Sequence, residues 1–315
     1  MDTAVLGNSG IEVSRLCFGT LTLGPLQANL PVKAGGEILA HAICRGVSFF
    51  DTAQIYETYP YLLEAMERTG AWDIVISSKT YAYTADMARA AVEQARRELN
   101  RDYIDVFMLH EQESIHTLRG HQKALEVLYD YKSRGIIRAV GASMHHVAAV
   151  YGAIEMGLDV IHPLLNMEGL GIVDGGRKEM ECAVREAHIN GVGVFSMKPL
   201  GGGNLFKKAE ECLKYSLSLD CVDSIALGMQ SVDEVDSNVD FFGQGFFSKK
   251  ARAALIQKKR RLHIDSWCEG CGLCEKRCPQ KAVRVVDGRA VCDNARCVLC
   301  GYCAPVCPMW AIKVV

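Results

Sequence analysis

Short runs of nearly continuous apolar residues alternate along most of the chain with longer stretches in which apolar residues recur every three or four positions. SFFDT precedes YLLEAMER, DIVISSK precedes ADMARAAVEQARREL, YIDVFMLH precedes HQKALEVLYDYKSRG, and IRAVGAS precedes HVAAVYGAIEMG. VIHPLL, GVGVFSMK and SIALGM continue the series, each with a helical stretch after it, and RLCFG near the start supplies one more strand. The first period is that of strands buried on both faces, the second that of amphipathic helices. Eight such pairs within about 250 residues predict an α/β fold, a closed (β/α)8 TIM barrel. The opening AVLGNSGIEVSRL predicts a hairpin across the barrel bottom. An open doubly wound sheet is the alternative, but no G-x-G-x-x-G follows the first strand, which weakens a dinucleotide-binding open sheet.

A parallel barrel gathers its chemistry at the C-terminal ends of its strands. Polar residues stand at six of those ends: Asp51, Lys79, His110, Ser143, Asn166 and Lys198. Tyr56 follows Asp51 in the adjoining loop. Taken singly, each has an ordinary structural explanation, as a helix cap, a strand-end charge or a packed ring. Six at one mouth point to a site.

The last fifty residues follow a different rule. Cys268, Cys271, Cys274 and Cys278 form C-x2-C-x2-C-x3-C followed by Pro279, and Cys297, Cys300, Cys303 and Cys307 repeat it before Pro308. Three thiolates at intervals of three can reach three corners of one cubane, while the fourth points to the other. The spacing therefore assigns one 4Fe-4S cluster to Cys268, Cys271, Cys274 and Cys307, and a second to Cys297, Cys300, Cys303 and Cys278. Paired zinc knuckles also use C-x2-C, but they leave the third cysteine of each run and the prolines unexplained. The segment resembles a bacterial two-cluster ferredoxin, a small α+β dicluster domain. So small a unit buries too little apolar surface to fold unaided, so its metal is structural as well as redox-active. Cys17, Cys44, Cys182, Cys212 and Cys221 lie in apolar periodic segments and read as core; Cys292, in a strand-like context, stays off the ligand set. The expected domains are residues 1–264 for the barrel, with a basic linking helix over 248–264, and residues 265–315 for the clusters.

Composition narrows the classes of function. The net charge of -2 over 315 residues gives no reason to expect nucleic acid or a membrane surface as partner. No charged and apolar leader opens the chain and no apolar run could span a bilayer, so a cytoplasmic location is expected.

Asp51, Tyr56, Lys79 and His110, carried on FFDTAQIY, ISSK and FMLH, resemble the catalytic tetrad of the aldo-keto reductases, and LGNSGIEVSRLCFGT and GAS stand in that family's order. The resemblance implies NAD or NADP lying across the mouth and reduction of a small carbonyl compound to an alcohol, or the reverse. Tyr56 would be the proton donor, its pKa brought down by Lys79, which Asp51 orients. His110 would bind the carbonyl oxygen. Ser143 and Asn166 would hold the nicotinamide amide, and Lys198, Gly201, Gly228, Gln230 and Ser231 would approach the phosphates and adenosine. Tyr59 and Tyr61 supply further phenols, so the acid stays open among three. Glu57 stands where the family has Gly, and Met144 where many members have Asn. After Gly228 come Asp233, Glu234 and Asp236 rather than a base, and acidic groups favour free ribose hydroxyls over a phosphate.

Hydride carries two electrons and each cluster takes one, so a converter is expected between them. The loops after the seventh and eighth strands of a barrel also suit flavin mononucleotide (FMN). Three functions remain: a nicotinamide-dependent reductase accompanied by cluster electron transfer; a ferredoxin-linked reductase using flavin or direct cluster-to-substrate transfer; and an electron carrier or redox sensor with a non-catalytic barrel. The basic stretch FSKKARAALIQKKRRLHI suits either an acidic soluble carrier such as ferredoxin or a plain solvated helix face.

Overall fold

In a computed structural model the chain is described over residues 1–315, the side chains of 255–257 excepted. An antiparallel hairpin, β1 (Thr3–Val5) and β2 (Glu12–Ser14), opens it. Eight parallel strands then close into a barrel: β3 (Leu16–Gly19), β4 (Phe49–Asp51), β5 (Val75–Thr80), β6 (Ile104–Gln112), β7 (Ile137–Met144), β8 (Val160–Pro163), β9 (Gly193–Met197) and β10 (Ser224–Gly228). β10 pairs back onto β3, with Ile225 opposite Leu16 and Gly228 opposite Gly19. At least one helix follows every barrel strand.

Strand parity sorts the side chains. Alternate residues of a strand face opposite sides, and here one side is the barrel lumen and the other the helix layer. Cys17, Phe49, Val75, Val106, Met108, Ala139, Val160, Phe195 and Ala226 fill the lumen with Leu6, Ile11 and Val13 of the hairpin segment. Their neighbours Phe18, Phe50, Ile76, Phe107, Val140 and Ile161 pack outward against the helices. The Phe49 and Phe195 rings meet at 4.9 Å in the lumen. Carried two residues further, the same parity puts Asp51, Met108 and then His110, His162 and Met197 in the inward register above this apolar floor. The expected plug is therefore formed, and it leaves only the upper end of the barrel open to chemistry.

The linking segment differs from its expectation. A helix covers Lys249–Gln257 rather than 248–264, and β11 (Leu262–Ile264) is a strand whose partner is the chain-terminal β14 (Ile312–Val314). Leu262 is buried in the small domain's core with Val283, Ala290, Ile312 and Val314; an extended backbone is what brings it there. Between those strands lie the hairpin β12 (Val283–Val286) with β13 (Arg289–Cys292) and a one-turn helix at Leu273–Arg277. Cys17, Cys212 and Cys221 are buried as expected, but Cys44 and Cys182 are exposed, since each lies on the solvent side of its helix.

The small domain is docked on the barrel. Val314 N donates to Gly202 O at 3.0 Å, and Asn204 Nδ2 donates to Ile312 O at 3.2 Å. Trp310 packs on Leu164 and Met197 above the strand ends. A Cβ on Gly203 would stand 2.0 Å from Val314 O, and its φ of 82° is itself glycine territory. The glycine-rich loop after β9 thus exists in this fold to admit the C-terminal strand. Gly203→Val should cost on the order of 2 kcal/mol and loosen the docking; limited proteolysis should release the C-terminal domain faster while far-UV circular dichroism of the barrel stays unchanged.

Candidate active site and cluster cradles

The upper lumen is charged where the lower lumen is apolar. Lys79 Nζ donates to Asp51 Oδ1 at 2.6 Å and to Thr52 O at 2.8 Å, and both side chains are almost fully buried. His162 Nε2 lies 3.6 Å from the other Asp51 oxygen, while its Nδ1 donates to Phe195 O at 2.6 Å. Burial alone would raise the Asp51 pKa, but Lys79 and His162 outweigh it and hold the carboxyl at about 2. Tyr56 Oη stands 3.4 Å from His110 Nε2 and the Lys79 ammonium 5.2 Å from the Tyr56 ring centre. Asp51, Tyr56, Lys79 and His110 are therefore brought together, and His162 joins them. Its place inside VIHPLL is the only sequence signal for it.

Of the three phenols only Tyr56 faces this group. Tyr59 is buried with its hydroxyl bonded to Ser78 Oγ at 2.6 Å, and Tyr61 donates to Leu30 O. The expected pKa effect, however, is reversed. Burial pushes the Tyr56 phenol well above its ordinary value, and Asp51, Glu111 and Tyr81 add to the shift. The Lys79 ammonium donates to Asp51 and Thr52 and stands 5.2 Å from the phenol ring centre. Tyr56 is thus held protonated, as an acid. His110 is held neutral, first by burial and then by Lys79, and its buried Nδ1 has no hydrogen-bond partner. Tyr81 stacks on His110 at 4.5 Å and donates to Glu111; no motif drew notice to either.

A cavity of about 230 Å³ opens from this group. Asp51, Tyr56, His162 and Met197 line its inner end and Gln27, Gln230, Glu234 and Asn238 its outer end. Of the residues expected at a nucleotide, Lys198, Gly228 and Gln230 line it. Ser231 instead caps the helix Val232–Gln244, and Gly201, with φ 55°, makes the turn below Leu205. Ser143 and Asn166 are fully buried and already bonded: Ser143 Oγ accepts from Glu111 N, and Asn166 both accepts from Leu170 N and donates to Leu170 O, each at 2.9 Å. The two hold loops here, and the Ser143 O–H and the second Asn166 N–H remain as further donors. Four cations line the cavity: Lys198 after β9, Lys258 and Arg260 from the linker, and Lys313 from β14. Lys258 bonds Glu234 at 2.5 Å and Arg260 lies over the Phe206 ring at 4.6 Å. The linker read as a docking or solvated face is thus partly a cavity wall.

The cysteines form two separate hollows. Cys268, Cys271, Cys274 and Cys307 line one, with Met309 and Ile312. Cys278, Cys297, Cys300 and Cys303 line the other, with Leu262 and Leu299. The crossed sets expected from the spacing are the sets the fold brings together. Backbone N–H groups of Ala290, Ala311 and Ala282 donate to Cys268, Cys307 and Cys278 Sγ at 3.5, 3.3 and 3.3 Å, which suits thiolates bound to a cluster. Gly270, Gly272, Leu299 and Gly301 take left-handed φ, so each C-x2-C-x2-C run turns in the same way despite a leucine at one position. Among the described residues no three His, Cys, Asp or Glu side chains are set to hold a single metal ion. Cys292, a free thiol beside the second quartet, donates its S–H to Asn294 Oδ1 at 3.8 Å.

Residues 15–211, more than half of the chain, match the aldo/keto reductase family, and residues 263–284 match the 4Fe-4S binding domain. The chain belongs to the aldo/keto reductase family of oxidoreductases and carries a 4Fe-4S domain at its C-terminal end. It is 22% identical over 290 residues to the L-galactose dehydrogenase of Arabidopsis thaliana, covering 76% of this chain and 87% of that protein. With the 6-dehydroglucose reductase of Novosphingobium aromaticivorans it shares 25% over 243 residues, 70% of this chain and 75% of the other. The holo form of the aldo-keto reductase AKR11C1 from Bacillus halodurans superposes with a TM-score of 0.65 at 21% identity, over 82% of this chain and 95% of that one. No helix among the described residues is long and apolar enough to cross a membrane.

Removing one partner of a buried ion pair strands the other. Asp51→Asn should therefore destabilise the barrel by about 3 kcal/mol, read from urea unfolding at neutral pH. Because the Asp51 carboxyl titrates at about 2 when folded and near 4 when unfolded, its contribution is complete above about pH 4. It is lost as the pH falls through 2, and the gap between wild type and variant should narrow over that window.

Proposed function

We propose that this protein is a nicotinamide-dependent oxidoreductase that reduces a small carbonyl compound, or oxidises the matching alcohol, in the barrel cavity. In this reading the two 4Fe-4S clusters exchange electrons with that cavity or with an outside carrier. The observation that carries it is one continuous cavity, running from Asp51 and Tyr56 to Gln230, Glu234 and Asn238 and walled on one side by Lys313, Val314 and Val315 of the cluster domain. Barrel chemistry and cluster domain share a surface.

NAD or NADP, when bound, would supply or accept the hydride. Tyr56 would donate its proton to the carbonyl oxygen as negative charge develops there. Burial keeps the phenol proton in place for the reducing direction, and the charge developing on the carbonyl oxygen would draw it off. His110 Nε2, within reach of Tyr56 Oη, would hold the same oxygen and so fix which face of the carbonyl is presented. Asp51 would keep Lys79 in place beneath the ring, with His162 steadying the second carboxylate oxygen. Gln230, Asn238, Lys258 and Arg260 would meet the adenosine end. The clusters would pass electrons singly, and an acidic one-electron carrier such as ferredoxin is the partner that the basic linker favours. A reducing, cytoplasmic compartment goes with unpaired thiols and thiolate-bound clusters.

A second reading is favoured by a specific observation. Ser143 and Asn166 are fully buried, each already bonds a loop backbone group, and neither lines the cavity, which weakens the expected anchoring of a nicotinamide amide. Single electrons from the clusters, directly or through a flavin mononucleotide, would then replace hydride, with Tyr56 still the proton donor.

Tyr56→Phe should lower carbonyl reduction by about 10²- to 10⁴-fold with little change in cluster absorption; an unaffected rate would remove Tyr56 from the chemistry. Because His110 is held neutral by its burial, kcat/KM should lack an inflection near pH 6.5. An anaerobic visible spectrum recorded before and after NADH, then NADPH, separates the two readings. Bleaching by nucleotide would join barrel and clusters in one path. Bleaching by dithionite alone, with flavin released on denaturation, would favour the second.

A further inference from the structure

Lys198 and Lys313 reach one cavity from opposite sides of the domain boundary. Lys198 ends the barrel's seventh parallel strand in a left-handed conformation, φ 58°, which a side chain adopts at a cost and which is met at functional sites. Its Nζ donates to His145 Nε2 at 2.8 Å, and among the described residues no carboxylate pairs with it. His145, half-buried, is held neutral, first by desolvation and then by Lys198 itself, so it accepts the bond without cancelling the charge. Lys313 is 5% exposed; its Nζ donates to Trp310 O and lies 4.6 Å from the Trp310 ring centre. The nearest carboxylate oxygen, Asp265 Oδ2, is 3.8 Å away and has no hydrogen-bond partner.

Asp51 is matched by Lys79 and Glu234 by Lys258. Glu111, which accepts from Tyr81, and Asp265 both draw on Lys198 and Lys313, but among the described residues neither stands within ion-pair distance of Lys198, and Asp265 reaches Lys313 only at 3.8 Å. Burial and then the charge of Lys198 hold the Lys313 ammonium well below its ordinary pKa, and an anion set between the two would relieve that repulsion and favour the charged form. We propose that Lys198 and Lys313 form an anion site at the barrel mouth, completed by the cluster domain, that binds the carboxylate or phosphate group of the substrate. The substrate is then an anionic carbonyl or hydroxy compound. The substrate rather than the nucleotide is assigned because Lys198 directly follows Met197 of β9 and bonds His145, both at barrel strand ends, whereas Lys258 bonds Gln230 and Glu234.

This rests on the cavity being the substrate site and is independent of whether hydride or single electrons reach it. Because half the site comes from β14, anion binding and cluster-domain docking are linked, each strengthening the other. Lys198 is held at about 8, by burial and then Lys79 against the pull of Glu111 and Asp265, with Lys313 and His145 facing it. It is charged below that value, so binding should weaken as the pH rises through 8.

The test is calorimetric titration of the cluster-loaded protein at pH 7 with oxalate and, separately, inorganic phosphate. Wild type should bind at least one, and which one distinguishes a carboxylate from a phosphate substrate. Lys198→Met and Lys313→Met should each weaken that binding by about tenfold or more, while Lys313→Arg keeps most of it and cluster absorption stays as in wild type. No binding of either probe up to about 10 mM, or wild-type affinity in Lys198→Met, overturns the proposal; should Lys313→Met lose its clusters, Lys198→Met decides alone. NADH and NADPH are titrated in parallel: oxalate or phosphate binding without nucleotide binding removes the hydride reading and leaves the anion site standing.

Discussion

An ammonium and a carboxylate held together inside a barrel set the terms for everything above the apolar floor. Burying either charge alone would cost several kcal/mol, and the pair repays this only with further hydrogen bonds. Lys79 finds them in Asp51 and Thr52, and Asp51 finds a second partner in His162. Burial first of all keeps the Tyr56 phenol protonated and His110 neutral, with Asp51 adding to the first shift and Lys79 to the second. The buried pair thus reinforces the protonation of both groups that would meet a carbonyl oxygen. The apolar layer of Phe49, Phe195 and Met108 underneath keeps water from reaching it from below.

The cluster domain depends on the barrel in a different way. Its core is small and partly made of the cysteines themselves, so cluster binding and folding are one process there. Its terminal strand gains a second foothold on the glycine loop after β9 and presses Trp310 onto Leu164 and Met197. A loop whose glycines could have cradled phosphate instead admits a backbone. The same docking delivers Lys313, Val314 and Val315 to the cavity wall, so the two halves of the chain share one cavity.

Local periodicity determined a great deal. Continuous apolar strands, helical spacing and the hairpin segment sufficed for the barrel, because parity along a buried strand decides which residues face the lumen. That parity also placed Asp51, Lys79 and His110 at one mouth. The cysteine spacing sufficed for the crossed quartets, since thiolates three apart on a tight turn can only converge. Such features are short-range, and sequence records them directly.

What only the tertiary structure decided are relations between segments far apart in the chain. Ser143 and Asn166 stand at the expected strand ends, yet Glu111 and Leu170 have taken their hydrogen bonds. Lys258 and Arg260, in a stretch that reads as a docking or solvated face, become cavity wall once the domains dock, and Lys313 comes to the same cavity from β14. Tyr56 looks activated by Lys79 until its burial is known. Hydrogen bonds saturate and charges act through space, so which partner a polar group meets depends on how the domains close, and no local pattern encodes that closure.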